Sequence, residues 1–372
     1  YSNGTNFTGM FNNAAAYNGK AIYMNLTFGA PIVTNMFLGA TQIAAAYSGR
    51  TGWNGGSPLS TWFASSSPST ENRMRITSSQ TNMTNANLPN VVINTGGSFT
   101  NLAILPRPSV SSTTYDIRFE YASGTTVNSG DGFRLNGNAD YYAMTITNWS
   151  NDGTTSTAMP LANSGYQLRG MAGNITASDK PRIDAGTSLA FAFNGNSGQT
   201  SYNNLENWDI INVTDFSNMF LYATNFDQDL SAWGNNTVNV VNMSGMLRGA
   251  SAFNQDISSW NVTNVTSMIQ MFMNATSYNN SDPANNSAKP LLWTTNGSGT
   301  GNVTDMNNMF RTASSFNQDI GSWDVSNVTN MSLMFFQNQI FNSDISSWVV
   351  SSVTDMNSMF YQVSAFNQDI SE

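Results

Sequence analysis

The sequence predicts an α/β repeat solenoid, one short strand and one short helix per coil, with an inserted all-β sandwich-like domain. Three observations predict it. The stretch from Asn302 to Glu372 carries one motif three times over, with Phe310, Phe335 and Phe360 equally spaced and Trp323 and Trp348 keeping the same interval. Within a copy, Met306, Met309, Phe310 and Ala313 fall at i, i+3, i+4 and i+7. Between about Asn90 and Gly198 the apolar period changes from 3.6 to 2. Units this short are too small to bury a core alone, so they must stack on one another.

Taken in order, residues 1–89 read as degenerate N-terminal repeats with a long loop. Met10-Phe11 and, about one period on, Met36-Phe37 reproduce the repeated Met-Phe pair. After Arg50 the pattern dissolves into a Ser/Thr/Asn-rich surface excursion. Residues 90–198 read as the all-β insert. Tyr115–Tyr121 alternates apolar and charged residues, the mark of a strand with one wet face. Tyr142–Ile146 and Leu189–Phe193 read as strands too, with turn-rich segments such as Asn128–Gly132 between them.

Residues 199–372 form the regular repeats. Their second Met-Phe positions are Phe220, Leu247, Phe272, Phe310, Phe335 and Phe360, in steps of 27, 25, 38, 25 and 25. The long step marks an insertion within Asn279–Gly301, a candidate contact loop. In each copy the Met-Phe segment predicts a short helix, with Thr304 as the N-cap of the first. Phe316–Ile320 predicts a brief strand pairing with its counterparts. The methionines and aromatics read as core; a methionine-lined ligand groove is the alternative, and helical spacing argues against it. Asp229, Asp256, Asp319, Asp344 and Asp369 recur before Leu or Ile and read as turn caps. Calcium binding by that column is the alternative, without the glycine-rich nonapeptide of calcium-binding solenoids.

The motif W-x-V-x-N-V-T-x-M-x-x-M-F-x-x-A-x-x-F-N-x-D-I-S resembles that of the BspA-like leucine-rich-repeat surface proteins of bacteria, some protists and large viruses. The likeness covers roughly residues 205–372 well and residues 4–50 weakly. It implies a leucine-rich-repeat-like coil and a role in adhesion and surface display. It implies no active site, since that family is defined by its repeats.

Composition narrows the function classes. Charged residues make up 9% of the chain, against about a quarter in ordinary soluble proteins, and Asn, Ser, Thr and Gly take their place. Such a neutral hydrogen-bonding surface suits an extracellular, cell-surface protein. Net charge is −9 with 13 Lys plus Arg, which leaves no electrostatic footprint for nucleic acid. There is no cysteine, hence no disulfide and no thiol chemistry. No apolar run reaches the length of a membrane span. The chain starts at Tyr1, which reads as a removed leader or as a window of a longer protein. Glycosylation sequons abound, many of them forced by the repeat itself.

No catalytic, metal or cofactor site is expected. With no histidine, Ser-His-Asp triads, His-ligated metals and the commonest general base are excluded. Asp116, Glu120 and Asp131 of the insert are weighed as glycosidase carboxylates, but the first two lie on the wet face of a regular strand and read as surface charge. Tyr141, Tyr142 and Trp149 are weighed as a sugar-stacking platform, against the reading that they are core.

Neither end of the sequence shows a polar capping repeat. The chain stops just before its next tryptophan is due, and Tyr1 enters the motif just after that position. The expectation is an extracellular structural or adhesive subunit that stacks head-to-tail into a homopolymeric filament. Its joint would place Met356, Met359, Phe360, Phe366 and Ile370 on Phe7, Met10, Phe11 and Tyr17 of the next copy. The alternative is an adhesin whose β insert or loops bind a glycan or a host protein.

Overall fold

The computed structural model describes residues 71–78, 91–93, 99–109, 112–121, 133–135, 144–149, 161, 165–171, 173–282, 290–293 and 299–370. The chain divides into two compact units, Tyr1–Glu71 with Pro106–Thr114 and Asn72–Leu105 with Tyr115–Glu372. The first lies almost wholly outside the described residues.

Six strands are described: β1 (Glu71–Ser78), β2 (Val91–Ile93), β3 (Phe99–Ser109), β4 (Ser112–Tyr121), β5 (Phe133–Leu135) and β6 (Met144–Asn148). They form a four-stranded sheet in the order β3-β4-β1-β6 and a two-stranded sheet of β2 with β5. β1 and β6 run antiparallel, pairing Ile76 with Ile146 across a register shift at Arg75. Ile146 then pairs in parallel with Ile175, and Ile175 with Tyr202. An antiparallel sheet edge is thereby covered by parallel turns of chain, which leaves β6 no free edge on that side.

Leu189–Phe193, expected as a strand of the insert, is instead a run of turns with Phe191 at φ 56°. It belongs to a backbone ladder that already pairs Leu168 N–H with the Ala192 carbonyl at 2.8 Å, ahead of residue 199, where regular repeats are expected to begin.

Along that ladder, successive coils lie in parallel register. Isolated parallel bridges join Asp215, Asn242, Ser267, Asp305, Asn330 and Asp355 in series. In one coil, the N–H groups of Met306, Asn308, Phe310 and Thr312 donate to Asn330, Ser332, Met334 and Phe336 of the next, at 2.9–3.0 Å. The N–H groups between them turn inward along the chain: Met309 donates to the Met306 carbonyl, Arg311 to Asn308 and Ala313 to Phe310, at 3.1–3.2 Å.

Met306–Ala313 is therefore not the expected helix. A helix directs every N–H along its own axis, four residues back. Here alternate N–H groups leave the coil, and the backbone admits this by placing Asn308 at φ 56° and Thr312 at φ 55°. The left-handed conformation costs a non-glycine residue about 1–2 kcal/mol, which the bonds to the neighbouring coil offset. Met306, Met309, Phe310 and Ala313 are nonetheless all fully buried.

Two further expectations are corrected. Thr304 is no helix cap: its N–H and hydroxyl both donate to the Thr266 carbonyl of the preceding coil, at 2.9 and 3.2 Å. Asp305 makes the local turn, its carboxylate accepting from Asn307 N–H at 2.8 Å. Phe316–Ile320 is irregular and not a strand. Its coils are joined there by a side-chain ladder in which Asn317 N–H donates to Asn279 Oδ1 and Asn342 N–H to Asn317 Oδ1.

The core is three aromatic columns. Phe272, Phe310 and Phe335 stack from coil to coil at 5.3 and 5.8 Å with nearly parallel rings. Tyr278, Phe316 and Phe341 form the second column, each packed against the first, as Phe310 is on Phe316 at 3.8 Å. The third is tryptophan, and each indole N–H donates to a carbonyl one coil back: Trp233 to Leu205, Trp260 to Leu230, Trp323 to Leu291 and Trp348 to Ile320, at 3.0, 3.1, 2.9 and 3.1 Å. Within the long insertion, Leu291 and Trp293 return to the core, and Trp293 stacks on Trp323 at 5.1 Å.

Trp208 Nε1 is buried with no acceptor among the described residues. Trp260→Phe should therefore cost about 1 kcal/mol more than Trp208→Phe, the net value of one hydrogen bond, as read from the urea midpoints of the two variants. Gly249 tests the backbone. It sits at φ 71°, and a Cβ there would lie 2.5 Å from the Tyr222 ring. Gly249→Ala should destabilise by at least about 1–2 kcal/mol, measured the same way against wild type.

Candidate functional site

Two surfaces of the stack stand out, and both follow from the repeat. The first grows from the tripeptide ahead of each bridge, Asn-Val-Thr in most copies and Asn-Val-Val at 239–241. Its valine is buried, as at Val213, Val240, Val265 and Val303, so the flanking residues face outward and are exposed. Stacking sets these in two columns: Asn212, Asn239, Asn264 and Asn302 on one side, Thr214, Val241 and Thr266 on the other. Between them runs a trough of about 610 Å³ with no charged group in its lining.

Four side chains of this trough are held by hydrogen bonds to the preceding coil. Asn239, Asn264 and Asn302 each donate from Nδ2 to a carbonyl of the preceding coil (Ile211, Val238 and Thr263) at 2.7–2.8 Å. Thr266 donates its hydroxyl to the Val241 carbonyl at 3.3 Å. The Asn Oδ1 atoms, the second N–H of each asparagine and the threonine oxygen lone pairs are what remain toward solvent.

The second surface is the outer face of the coil around 355–370. Its Asp355, Asn357, Met359 and Tyr361 carbonyls accept from the coil before, at 2.8–3.1 Å. The N–H groups of Met356, Ser358, Phe360 and Gln362, which in earlier coils bond to the next, have no acceptor among the described residues. Met356 is 42% and Ile370 54% exposed, whereas Met306, Met331 and Ile320 at the same places are fully buried. Phe360 and Phe366 are half-buried, stacked on Phe335 and Phe341 with their outer faces open. Tyr361, 51% exposed, ends a short column in which Arg311 lies over Phe336 and Phe336 stacks on Tyr361 at 4.8 Å.

Of the residues singled out in the sequence, Met356, Phe360, Phe366 and Ile370 share this face. Met359 is turned into its own coil and is buried. Phe7, Met10, Phe11 and Tyr17 lie outside the described residues, as do Tyr141, Tyr142, Asp131 and most of the contact loop. Trp149 offers no stacking platform: it is fully buried, with its ring edge-on to Trp208 at 5.7 Å. The aspartates before Leu or Ile close turns, Asp319 accepting from Gly321 N–H and Asp344 from Ser346 N–H, both at 2.9 Å. Sequence reasoning misses the trough, although its signal, an exposed Asn and Thr around a buried valine, recurs at 212–214, 264–266, 302–304 and 327–329.

The perturbed titrations among the described residues have local causes within the stack. Bonds from the Ser326 hydroxyl and N–H hold the Asp324 carboxyl below its ordinary range, so what it contributes to stability is lost as pH falls through that lowered value. Burial pushes the Tyr202 phenol far upward. Burial, and after it the charge of Asp256, does the same for Tyr278.

A family model described as a Mycoplasma protein of unknown function, DUF285, matches residues 187–290 and 293–372. That family is associated with BspA-like surface proteins. No curated protein and no solved structure matches the chain. Among the described residues, no helix is long and apolar enough to cross a membrane.

The two buried phenols give a pH prediction. Both are held neutral in the fold with pKa values above the unfolded one, so their contribution is complete below pH 10 and is lost as pH rises beyond it. Stability should fall in alkali. Tyr278→Phe, which removes a hydroxyl with no partner among the described residues, should flatten that fall and leave stability at neutral pH unchanged or higher. Urea unfolding at pH values on both sides of 10 reads both effects.

Proposed function

We propose that this chain is a non-enzymatic, extracellular structural and adhesive surface protein: a repeat solenoid bearing an all-β insert. Its stack extends by accepting a coil of a second copy on the 355–370 face. The carrying observation is that face. It offers a row of four backbone donors beside Met356, Phe360, Phe366 and Ile370, in the arrangement that every earlier coil uses to hold its neighbour. What fits it is another coil of the same kind, and the Met-Phe repeats at Phe11 and Phe37 are such coils by sequence. A head-to-tail contact of this sort need not close on itself and so builds a fibre. Each large apolar side chain covered contributes about 1.5–3 kcal/mol, enough in combination for a non-covalent joint.

The association of the matching family with BspA-like surface proteins supports the surface role. The low charge and the absence of histidine and cysteine support a binding or structural role over an enzymatic one.

Sedimentation velocity of the wild type over a range of concentrations should show growing polymers. Ile370→Asp, at a half-exposed site, and Phe360→Asp should each leave a folded protein by circular dichroism and abolish the polymers, because the joint would bury an unpaired charge. Phe11→Asp should do the same from the other side. Wild type that stays monomeric at every concentration, or polymers that persist in all three variants, would overturn the filament.

A further inference from the structure

We propose that the Asn/Thr trough is a binding site for a linear, neutral, hydroxyl-rich polysaccharide lying along the stack. The inference rests on the adhesive half of the function proposed above and is independent of the filament.

Four features of the trough select this ligand. The trough is open, about 610 Å³ along the stack, so it suits an extended ligand lying on the surface and not an enclosed small molecule. Its lining carries no charge. Nucleic acid would need cationic groups there, and a hard metal ion would need carboxylates. The hydrogen-bonding sense is set as well. Each bonded threonine hydroxyl has given its one proton to a carbonyl of the coil behind, as Thr266 does to Val241 and Thr329 to Thr304, so toward a ligand it accepts. The asparagines, each with one Nδ2–H tied to the coil behind, offer Oδ1 and their second N–H. A surface of acceptors with a donor beside each asparagine oxygen calls for a ligand rich in hydroxyl groups, which both donate and accept.

Periodicity completes the match. The acceptors recur once per coil, at the ~4.8 Å spacing of hydrogen-bonded chains, and an extended β-1,4-linked glycan advances by a closely similar step per residue. The same columns continue beyond the trough at Asn327, Thr329 and Thr354, each bonded to the preceding coil in the same manner. Because these rotamers are already fixed, little side-chain freedom remains to be lost on binding. Val241, exposed in the threonine column, gives one apolar contact for the C–H face of a ring.

Val241 also supplies the test, since it shows that valine is accommodated at the threonine position. The double variant Thr214→Val/Thr266→Val removes two acceptors, while the Val241 carbonyl keeps its bond from Thr266 N–H. Calorimetric titration of the full chain uses cellohexaose and chitohexaose, which are straight, and maltohexaose, which curls away from a straight array. At least one straight probe should bind, with affinity rising from disaccharide to tetrasaccharide and then levelling as the trough fills. Maltohexaose should bind at least tenfold more weakly. The double variant should lose about tenfold in affinity, with an unchanged urea midpoint. Failure of both straight probes at millimolar concentration would overturn the proposal. So would equal binding of maltohexaose, or full binding by the double variant. Sedimentation of the same samples reports separately on the filament, so the two readings fail by different measurements.

Discussion

The alternation of backbone N–H groups between the coil that carries them and the coil beside it is the constraint on which the described stack depends. A buried peptide group must be paired, and the Met-Phe segment lies deep enough that water does not serve it. Sending every second N–H outward ties each coil to its neighbour along the whole segment. It forces positions such as Asn308 and Thr312 into the left-handed region. It also returns Met306, Met309, Phe310 and Ala313 to one inward face. The aromatic columns, the tryptophan-to-carbonyl bonds and the asparagine ladder all repeat on the axis that this pairing lays down.

Stacking explains the composition. A residue at a given place in the repeat meets its own kind one coil away, so a charged residue in a buried column would face like charge at close range. Asparagine avoids this and can both donate and accept, and its column runs Asn254, Asn279, Asn317 and Asn342, with Asp227 as its first member. The bridge column likewise interleaves Asp215, Asn242, Asp305, Asn330 and Asp355. Asp229 with Asp256, and Asp319, Asp344 and Asp369, do follow one another in successive copies, but all are exposed except Asp256, which is part-exposed, so water screens them. The scarcity of charge is thus a consequence of self-stacking before it is an adaptation of the surface.

The same geometry gives the two candidate surfaces their character. The 355–370 face displays backbone donors and apolar rings of the kind that elsewhere meet a coil, and its chemistry is that of the interior. The trough displays the outside of the repeat, neutral and regular, with side chains locked by the coil behind them. The proposed continuation of the stack and the proposed recognition of a periodic ligand would be separate uses of one repeat, and neither would require a titrating group.

The sequence by itself determined the period and the inward residues of the regular copies. Those follow from apolar spacing, and the buried Met, Phe, Trp and Val positions can be read directly from one copy. It did not determine the conformation. Spacing of i, i+3, i+4 and i+7 is shared by a helix and by a chain of turns with left-handed residues, and periodicity alone reads as the helix. The alternative wins because its outward N–H groups find acceptors a full repeat away, a partner that no local window contains. Leu189–Phe193 reads as a strand for the same reason, since alternation of Phe191 and Phe193 with alanine hides a turn that pairs with Ser217 and Met219. The trough, too, exists only once coils are superposed: Asn264 and Thr266 are two exposed polar residues in the sequence and one row of a continuous array in the stack.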